Sequence, residues 1–348
     1  MFSKLITYQE SYISQDKNSI SVIVCAHNEY ENLKALIPIL LNQDYPDYEI
    51  IIIDDRSEDG TKTLLRDLSE KNAALKILRV DELRADFHPK KYALTQGILA
   101  AQNEVILLTD ADCRPKSTQW IREMQSPLQG EIEIVLGFSP YFTQKSLLNA
   151  CIQYETLYTA IQYLSLALAG HPYMGVGRNL AYKKALFLKN QGLNTYQSIT
   201  GGDDDLLINQ IAHQNNVAIC LHPDSQVYSI PKNTWSQWYK QKIRHLSVGK
   251  YYRLKSKIIL GIVNASQVLF WLSFIIIIFA FQEKMYLEIL TGCFFLRIIA
   301  LWGGFTLINQ KIHAQVYTIC IPFFDFFYVL YIFIFGVIAL SKRHVQWN

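Results

Sequence analysis

Apolar and polar positions divide the chain into two regimes. Up to about residue 257 short apolar runs alternate with longer stretches of helical spacing. Ser21–Ala26 (SVIVCA), Glu49–Ile53 (EIIII), Leu75–Val80 and Val105–Thr109 (VILLT) are brief and β-branched, which predicts buried strands. Between them Glu31–Leu41, about Lys62–Lys71 and Tyr92–Ala101 read as helices. Strand and helix in alternation predict an α/β domain with a mostly parallel sheet covered on both faces. A later stretch, about Leu147–Ala169, is apolar almost all round its helix. Such a helix is core or lies against a membrane, and a membrane-facing role is expected.

From about residue 258 the pattern changes to Ile, Leu, Phe, Tyr and Trp with short polar breaks. Ile258–Phe281, Met285–Ile308 and Val316–Leu340 each approach the roughly 20 apolar residues that a spanning helix needs. The alternative is three core helices of a large soluble domain. The preceding stretch holds Lys240, Lys242, Arg244, Lys250, Arg253, Lys255 and Lys257 and no acid, which places it and the domain before it on the cytoplasmic side. The link Gln282–Lys284 is then outside and the link from Asn309 to His313 inside. Three full spans would leave the basic tail Ser341–His344 outside, against the same rule. The middle segment, with Arg297 and Gly303-Gly304, is the expected exception, as a re-entrant or interfacial piece. Asp325 is costly in lipid and is expected to face protein or a polar cavity.

Composition agrees with this division. Half of the 348 residues are hydrophobic and 18% are charged. Met1–Ile20 is polar and broken, with no run suited to a signal peptide. Six scattered Cys without a Cys-x-x-Cys pair speak against a zinc ribbon and for reduced thiols. A net charge of +3 gives no reason to expect nucleic acid as a partner.

The chemistry lies at the strand ends. Ligands of such sheets sit beyond the carboxyl ends of the strands. Asn28 and Glu29 follow the first strand, Asp54 and Asp55 end the second, and Asp110 and Asp112 follow the fourth. Acids after strands also cap helices and make turns. Here four carboxylates and Glu29 converge on one edge, where they would repel one another unless a cation is bound. Mg²⁺ takes one or two carboxylates together with substrate phosphates, so the set calls for a divalent metal and a phosphorylated ligand.

SVIVCAHNE (Ser21–Glu29), IIIDDRSEDGT (Ile51–Thr61) and LLTDADCRP (Leu107–Pro115) resemble, in order and spacing, the N-terminal signatures of family 2 glycosyltransferases of the GT-A fold. The resemblance runs on through GVGRNLAY (Gly175–Tyr182), GGDDDL (Gly201–Leu206) and QKIRH (Gln241–His245), and covers about residues 19–250. It implies a donor site in which Asp54 and Asp55 hold the base or ribose, with Glu29 beside them. Asp110 and Asp112 form the Asp-x-Asp motif; Asp112 is the expected direct ligand of Mg²⁺ or Mn²⁺, and Asp110 meets the ribose or sugar or joins the metal. Lys90 or Lys91 occupies the place of a donor-side basic residue, and Lys91 is the one expected at the donor. Asp203, Asp204 and Asp205 form the acid motif with the general base. Alignment on the acid pair selects Asp204, alignment on the later Asp-Leu selects Asp203, and Asp204 is preferred. One of the three also caps the helix from Leu206. Gly177, Arg178 and Asn179 belong to an acceptor-side loop. Gln241 and Arg244 match the family's Gln-x-x-Arg-Trp, and Arg244 suits a diphosphate or, alternatively, anionic lipid headgroups. His245 replaces the Trp beside the acceptor sugar, which favours single transfer over processive synthesis.

The expectation is therefore a cytoplasmic GT-A domain over residues 1–235, a basic interface segment over 236–257 and a membrane region over 258–348. The expected activity is transfer of a hexose or amino-sugar, with inversion, from a nucleoside diphosphate to a lipid-linked or glycan acceptor at the inner membrane of a bacterial-type cell. The rivals are a processive polysaccharide synthase and a catalytically silent nucleotide-sugar-binding scaffold.

Overall fold

The computed structural model describes residues 2–10, 12, 18–280 and 283–341. Gln282 and the tail 342–344, on which the topology expectation partly rests, lie outside them. In chain order the helices are α1 (Ser3–Thr7), α2 (Tyr30–Leu41), α3 (Thr61–Ser69), α4 (Pro89–Ala100), α5 (Trp120–Gln125), α6 (Leu147–Leu168), α7 (Lys184–Lys189), α8 (Asp205–Ile211), α9 (Trp235–Val248), α10 (Leu254–Ala280), α11 (Lys284–Lys311) and α12 (Ile321–Ser341). The strands are β1 (Ile20–Ala26), β2 (Tyr48–Asp55), β3 (Leu75–Val80), β4 (Val105–Leu108), β5 (Cys113–Pro115), β6 (Ile134–Gly137), β7 (Leu180–Lys183), β8 (Val217–Cys220) and β9 (Val227–Ser229).

Seven strands form one sheet in the order β3-β2-β1-β4-β7-β6-β8, and β5 pairs with β9 in a small second sheet. The first four run parallel, with Ile20 opposite Tyr48 and Val105. β7 is antiparallel to both β4 and β6. Successive side chains of a strand point to opposite faces, and the Ile run of β2 serves two cores in this way. Ile50 and Ile52 pack with Leu33, Leu36 and Trp120, whereas Ile51 and Ile53 pack with Leu94 and Ile98. A fully apolar strand is thus the sequence form of a strand buried on both faces.

α6 is apolar all round because it too is covered on both sides. Tyr163 donates to the Gly137 carbonyl of the sheet at 2.6 Å. Its opposite side meets the C-terminal helices, where the Tyr154 ring lies 5.4 Å from Phe324 and Tyr158 lies 4.1 Å from Tyr328. The expected membrane-facing helix is instead the seam between the sheet domain and the apolar bundle.

α10, α11 and α12 contain three segments long and apolar enough to cross a membrane, Leu254–Ile276, Lys284–Lys311 and Thr318–Gly336. α10 starts at Leu254, four residues ahead of the expected border. α11, the expected exception, is continuous through Gly303-Gly304. Asp325 is wholly buried between these helices. It pairs with Arg297 at 2.7 Å and accepts hydrogen bonds from Gln267 at 2.7 Å and Trp271 at 3.1 Å. Tyr158 of α6 donates in turn to Gln267 at 2.8 Å. One buried carboxylate therefore gathers α10, α11 and α12 and ties them to α6.

Removing one partner of a buried pair leaves an uncompensated charge. Arg297→Ala should cost about 3 kcal/mol of stability, and Arg297→Leu combined with Asp325→Leu should cost less than Arg297→Ala alone. Unfolding of the detergent-solubilised variants checks this ordering; an Arg297→Ala protein as stable as the wild type would contradict it.

Candidate functional site

The site is assembled at the carboxyl edge of the sheet from loops that follow β1, β2 and β4. Asn28 adopts a left-handed backbone (φ 56°), which Asn tolerates better than most residues. It staples two loops: its N–H donates to Ser57 Oγ at 2.9 Å and its Oδ1 accepts the Glu58 N–H at 2.8 Å. Asp54 is buried, accepts the Ser57 N–H at 3.1 Å and pairs with Arg79. Asp55, also buried, pairs with Arg56 at 2.8 Å. Both carboxylates thus hold the edge in shape.

Asp110, Asp112 and Cys113 bring ligand atoms within 4.8 Å of one another. Burial, and then the charge of Asp110, push the Asp112 carboxyl up, against the pull of Arg178 and Lys232. Glu29 is raised by burial too, and Asp112 is the first acid acting on it. This cluster of half-enclosed acids fits a hard divalent cation with oxygen ligands. The Cys113 thiol is held protonated, by burial first and then by Asp112, and does not suit that ion.

Lys90 joins this cluster to the acid motif. Pro89 opens α4, and the next residue projects its Nζ to Asp110 Oδ1 and to Asp203 Oδ2, each at 3.1 Å. Burial opposes its charge, but Asp110, Asp203 and Asp204 hold the ammonium well above its usual range. Lys91, the residue expected on the donor side, points away. It is fully buried and donates to the Tyr196 carbonyl at 2.7 Å, since neighbouring positions on a helix face different ways.

The three consecutive acids have three different surroundings. Asp203 faces Lys90; burial works to raise its carboxyl, but Lys90 prevails and holds it at about 2. Asp204 caps α8, with Oδ1 accepting the Asp205 N–H at 2.7 Å and Oδ2 accepting the Gly177 N–H at 2.6 Å. Asp205 accepts from the Tyr252 hydroxyl at 3.0 Å, and burial, followed by the charge of Asp204, raises it well above the usual range. The turn before them depends on Gly201 and Gly202 at φ 78° and 72°. A Cβ on Gly202 would come within 2.8 Å of Val248.

The acceptor-side loop divides as well. Asn179 is fully buried: its amide donates to the Phe138 and Ser225 carbonyls at 2.9 and 2.8 Å, and its oxygen accepts from Trp120 Nε1 at 2.9 Å. It cannot touch an acceptor, and its role is to fasten the loop to the core. Arg178 lies with its guanidinium 4.3 Å from the Tyr141 ring centre. Its Nη1 is buried without a hydrogen-bond partner, and its charged neighbours are Asp112 and Asp110.

α9 closes one side. Gln241 donates to the Tyr141 hydroxyl at 3.4 Å. Arg244 lies over Gly201, whose added Cβ would meet its Cγ at 3.5 Å. His245 is exposed. α9 is itself anchored to the apolar bundle. Trp238 stacks on Tyr331 and Phe335 at 5.5 and 5.4 Å, and buried Lys242 pairs with Glu155 of α6. The sequence reading left Tyr141, Tyr252 and Trp120 unassigned; they lie outside its acidic and glycine-rich signatures.

Residues 21–187 match the profile of "Glycosyl transferase family 2". Glycosyltransferase AglE of Haloferax volcanii is 30% identical over 139 residues, which cover 39% of this chain and 44% of that protein. A β-monoglucosyldiacylglycerol synthase of Trichormus variabilis is 36% identical over 100 residues, covering 28% of this chain and 21% of that one. The chain thus spans less than half the length of these curated relatives. Among solved structures, a mannosyltransferase from Pyrobaculum calidifontis, in complex with GDP-Man and Mn²⁺, superposes with a TM-score of 0.62 at 16% identity, over 99% of this chain and 93% of that chain. The likeness establishes a GT-A type of fold followed by apolar helices. Residues 21–187, just under half of the chain, thus form a domain of the glycosyl transferase family 2 type.

Truncating a buried amide strands its partners at roughly 1–3 kcal/mol per group. Asn179→Ala should therefore lower stability by about 3 kcal/mol, read by thermal or denaturant unfolding. A shift under about 1 kcal/mol would show that the loop is not fastened through this side chain.

Proposed function

We propose that this family 2 glycosyltransferase moves one sugar, with inversion, from a nucleoside diphosphate to a lipid-linked or membrane-proximal acceptor on the cytoplasmic face of a membrane. The observation that carries the reading is Lys90, which sets Asp110 and Asp203 opposite each other across one cleft. Donor chemistry belongs on the first side and acceptor chemistry on the second. The membrane setting is supported by α9, which reaches the cleft with Gln241 while stacking on α12 with Trp238. A relative named for a glucosyldiacylglycerol product suits the same acceptor class. The basic residues from Lys240 to Lys257 favour the cytoplasmic side.

Asp112 and Asp110 would hold a divalent ion, Mg²⁺ or Mn²⁺, with Glu29 beside them. When bound, it supplies Lewis-acid stabilisation to the diphosphate. Asp54 and Asp55 shape the pocket for the base and ribose. The general base is Asp203 rather than Asp204. Both Asp204 oxygens already accept backbone N–H groups, whereas Asp203 is anionic and its Oδ2 faces the cleft beside the Lys90 ammonium. Asp203 takes the proton of the acceptor hydroxyl as that oxygen bonds to the anomeric carbon. The bond from this carbon to the diphosphate oxygen breaks on the opposite side, and its electron pair leaves with the diphosphate. Lys90, Arg178 and Arg244 surround the departing charge. Arg178 thereby serves the donor rather than the acceptor, because its unpartnered Nη1 lies among the donor-side acids.

The detergent-solubilised protein should release nucleoside diphosphate from one member of a nucleotide-sugar panel with Mg²⁺ or Mn²⁺, and EDTA should abolish the release. Loss of a positioned base costs about 10²–10⁴-fold. Asp203→Asn should lose that much turnover while binding the donor normally, and Asp204→Asn should keep more than about a tenth of the activity. Binding without turnover in the wild type would favour a silent scaffold, and the reverse order of the two variants would return the base to Asp204.

Calorimetry tests Arg178 separately. Arg178→Ala should weaken a nucleoside diphosphate by about tenfold, since a hydrogen bond to a charged group contributes roughly 1.5–3 kcal/mol, and should leave the monophosphate nearly unchanged. Equal weakening of both would place Arg178 elsewhere.

A further inference from the structure

A second cavity, of about 380 Å³, opens on the side of the molecule where the sheet domain meets the start of α10. Pockets for small ligands begin at about this size. Its walls come from the end of α6 and the turn after it, the end of α8, and residues 253–260. Nothing in the sugar-transfer reaction requires it.

Its lining sorts by chemistry. Arg253 and Lys255 supply cations, and His171 and His213 add imidazoles; none of the lining residues is acidic. Leu166, Ile259 and Leu260 supply an apolar wall. The floor is fixed by Asn209, which is 3% exposed. Its amide donates to the Tyr173 carbonyl at 2.8 Å and to Ser256 Oγ at 3.1 Å, and its oxygen accepts the Arg253 N–H at 2.7 Å. The Arg253 guanidinium spends one donor on the Gln210 carbonyl, which leaves the rest of its fork for a ligand. α10, 27 residues long, begins here, so unsatisfied N–H groups of its first turn lie at the same place.

A free anion would need only the cations. The apolar wall continues along α10 into Ile258 and Ile262, which are 52% and 65% exposed on a helix able to cross a membrane. Cations at the mouth of an apolar wall, at the level where a helix enters lipid, match a phosphodiester attached to acyl chains. We propose that this cavity binds the headgroup of an anionic phospholipid from the surrounding membrane, with the phosphate on Arg253 and Lys255 and the glycerol and upper acyl chain against Ile259 and Leu260. The proposal rests on the reading of α10 as a membrane helix.

Native mass spectrometry of the intact protein tests it, after exchange into detergent with equimolar phosphatidylglycerol and phosphatidylcholine. The wild type should retain phosphatidylglycerol at least fivefold over phosphatidylcholine. Lys255→Gln, at an exposed side chain, should lower that retention at least threefold, and Arg253→Gln with Lys255→Gln should abolish the preference. Lys284→Gln, at the start of α11, should leave it intact. Equal retention of both lipids, or no effect of the cavity variants, would overturn the headgroup site and leave the membrane reading in place. Retention of neither lipid would overturn both. Displacement by millimolar inorganic phosphate would show a free-anion site and overturn the lipid assignment.

Discussion

Carboxylates from separate loops can share a narrow cleft only if something offsets their repulsion, and in this chain one ammonium bridges two of them across the gap. Lys90 reaches Asp110 on one side and Asp203 on the other. The residue owes its position to α4: Pro89 begins the helix, so Lys90 lies in its first turn and is directed at the sheet edge. Lys91, one position on, serves the core by bonding to Tyr196. With Lys90 in place Asp203 stays ionised and ready to accept a proton. Asp112, farther from that ammonium, stays raised by burial and by Asp110, as expected of a group awaiting a cation.

The second constraint is the seam between the cleft and the apolar bundle. α6 packs on the sheet through Tyr163 and on the bundle through Tyr154 and Tyr158. α9 rests on α12 through Trp238 and on α6 through Lys242 and Glu155. The Gln241 and Arg244 side of the cleft is therefore fixed relative to the apolar helices. An acceptor carried by lipid would meet the base from a defined direction. The pair of Arg297 with Asp325 performs the corresponding task inside the bundle, where Gln267 and Trp271 also donate to the Asp325 carboxylate.

Much of this was legible from local pattern. β-branched runs bounded by polar residues located β1 to β4, and the acids after them located the cleft, because parallel sheets place their ligands there. What pattern could not supply was side-chain direction. Asn179 reads as a donor in a glycine loop, yet the long-range bond to Trp120 turns it inward. Three consecutive aspartates look equivalent in sequence; a helix cap, a tyrosine and a lysine from distant segments make them different. The apolar face of α6 signalled burial but not its partner, since bundle and bilayer are equally apolar. Tyr141 enters the site through Arg178 and Gln241, both remote in the chain, and so left no local mark.

The most direct test of the account is the pH dependence of sugar transfer by Lys90→Met beside the wild type. Lys90 holds the Asp203 carboxyl at about 2. A carboxylate lowered in this way stays ionised until the pH falls to that value, so the wild-type acid limb should not reflect Asp203 above about pH 4. Without the ammonium the carboxyl rises, and the acid limb of turnover should move upward by one pH unit or more while the alkaline limb stays. A Lys90→Met enzyme whose whole profile is merely scaled down, with the acid limb unmoved, would contradict the claim that this lysine sets the charge of the base.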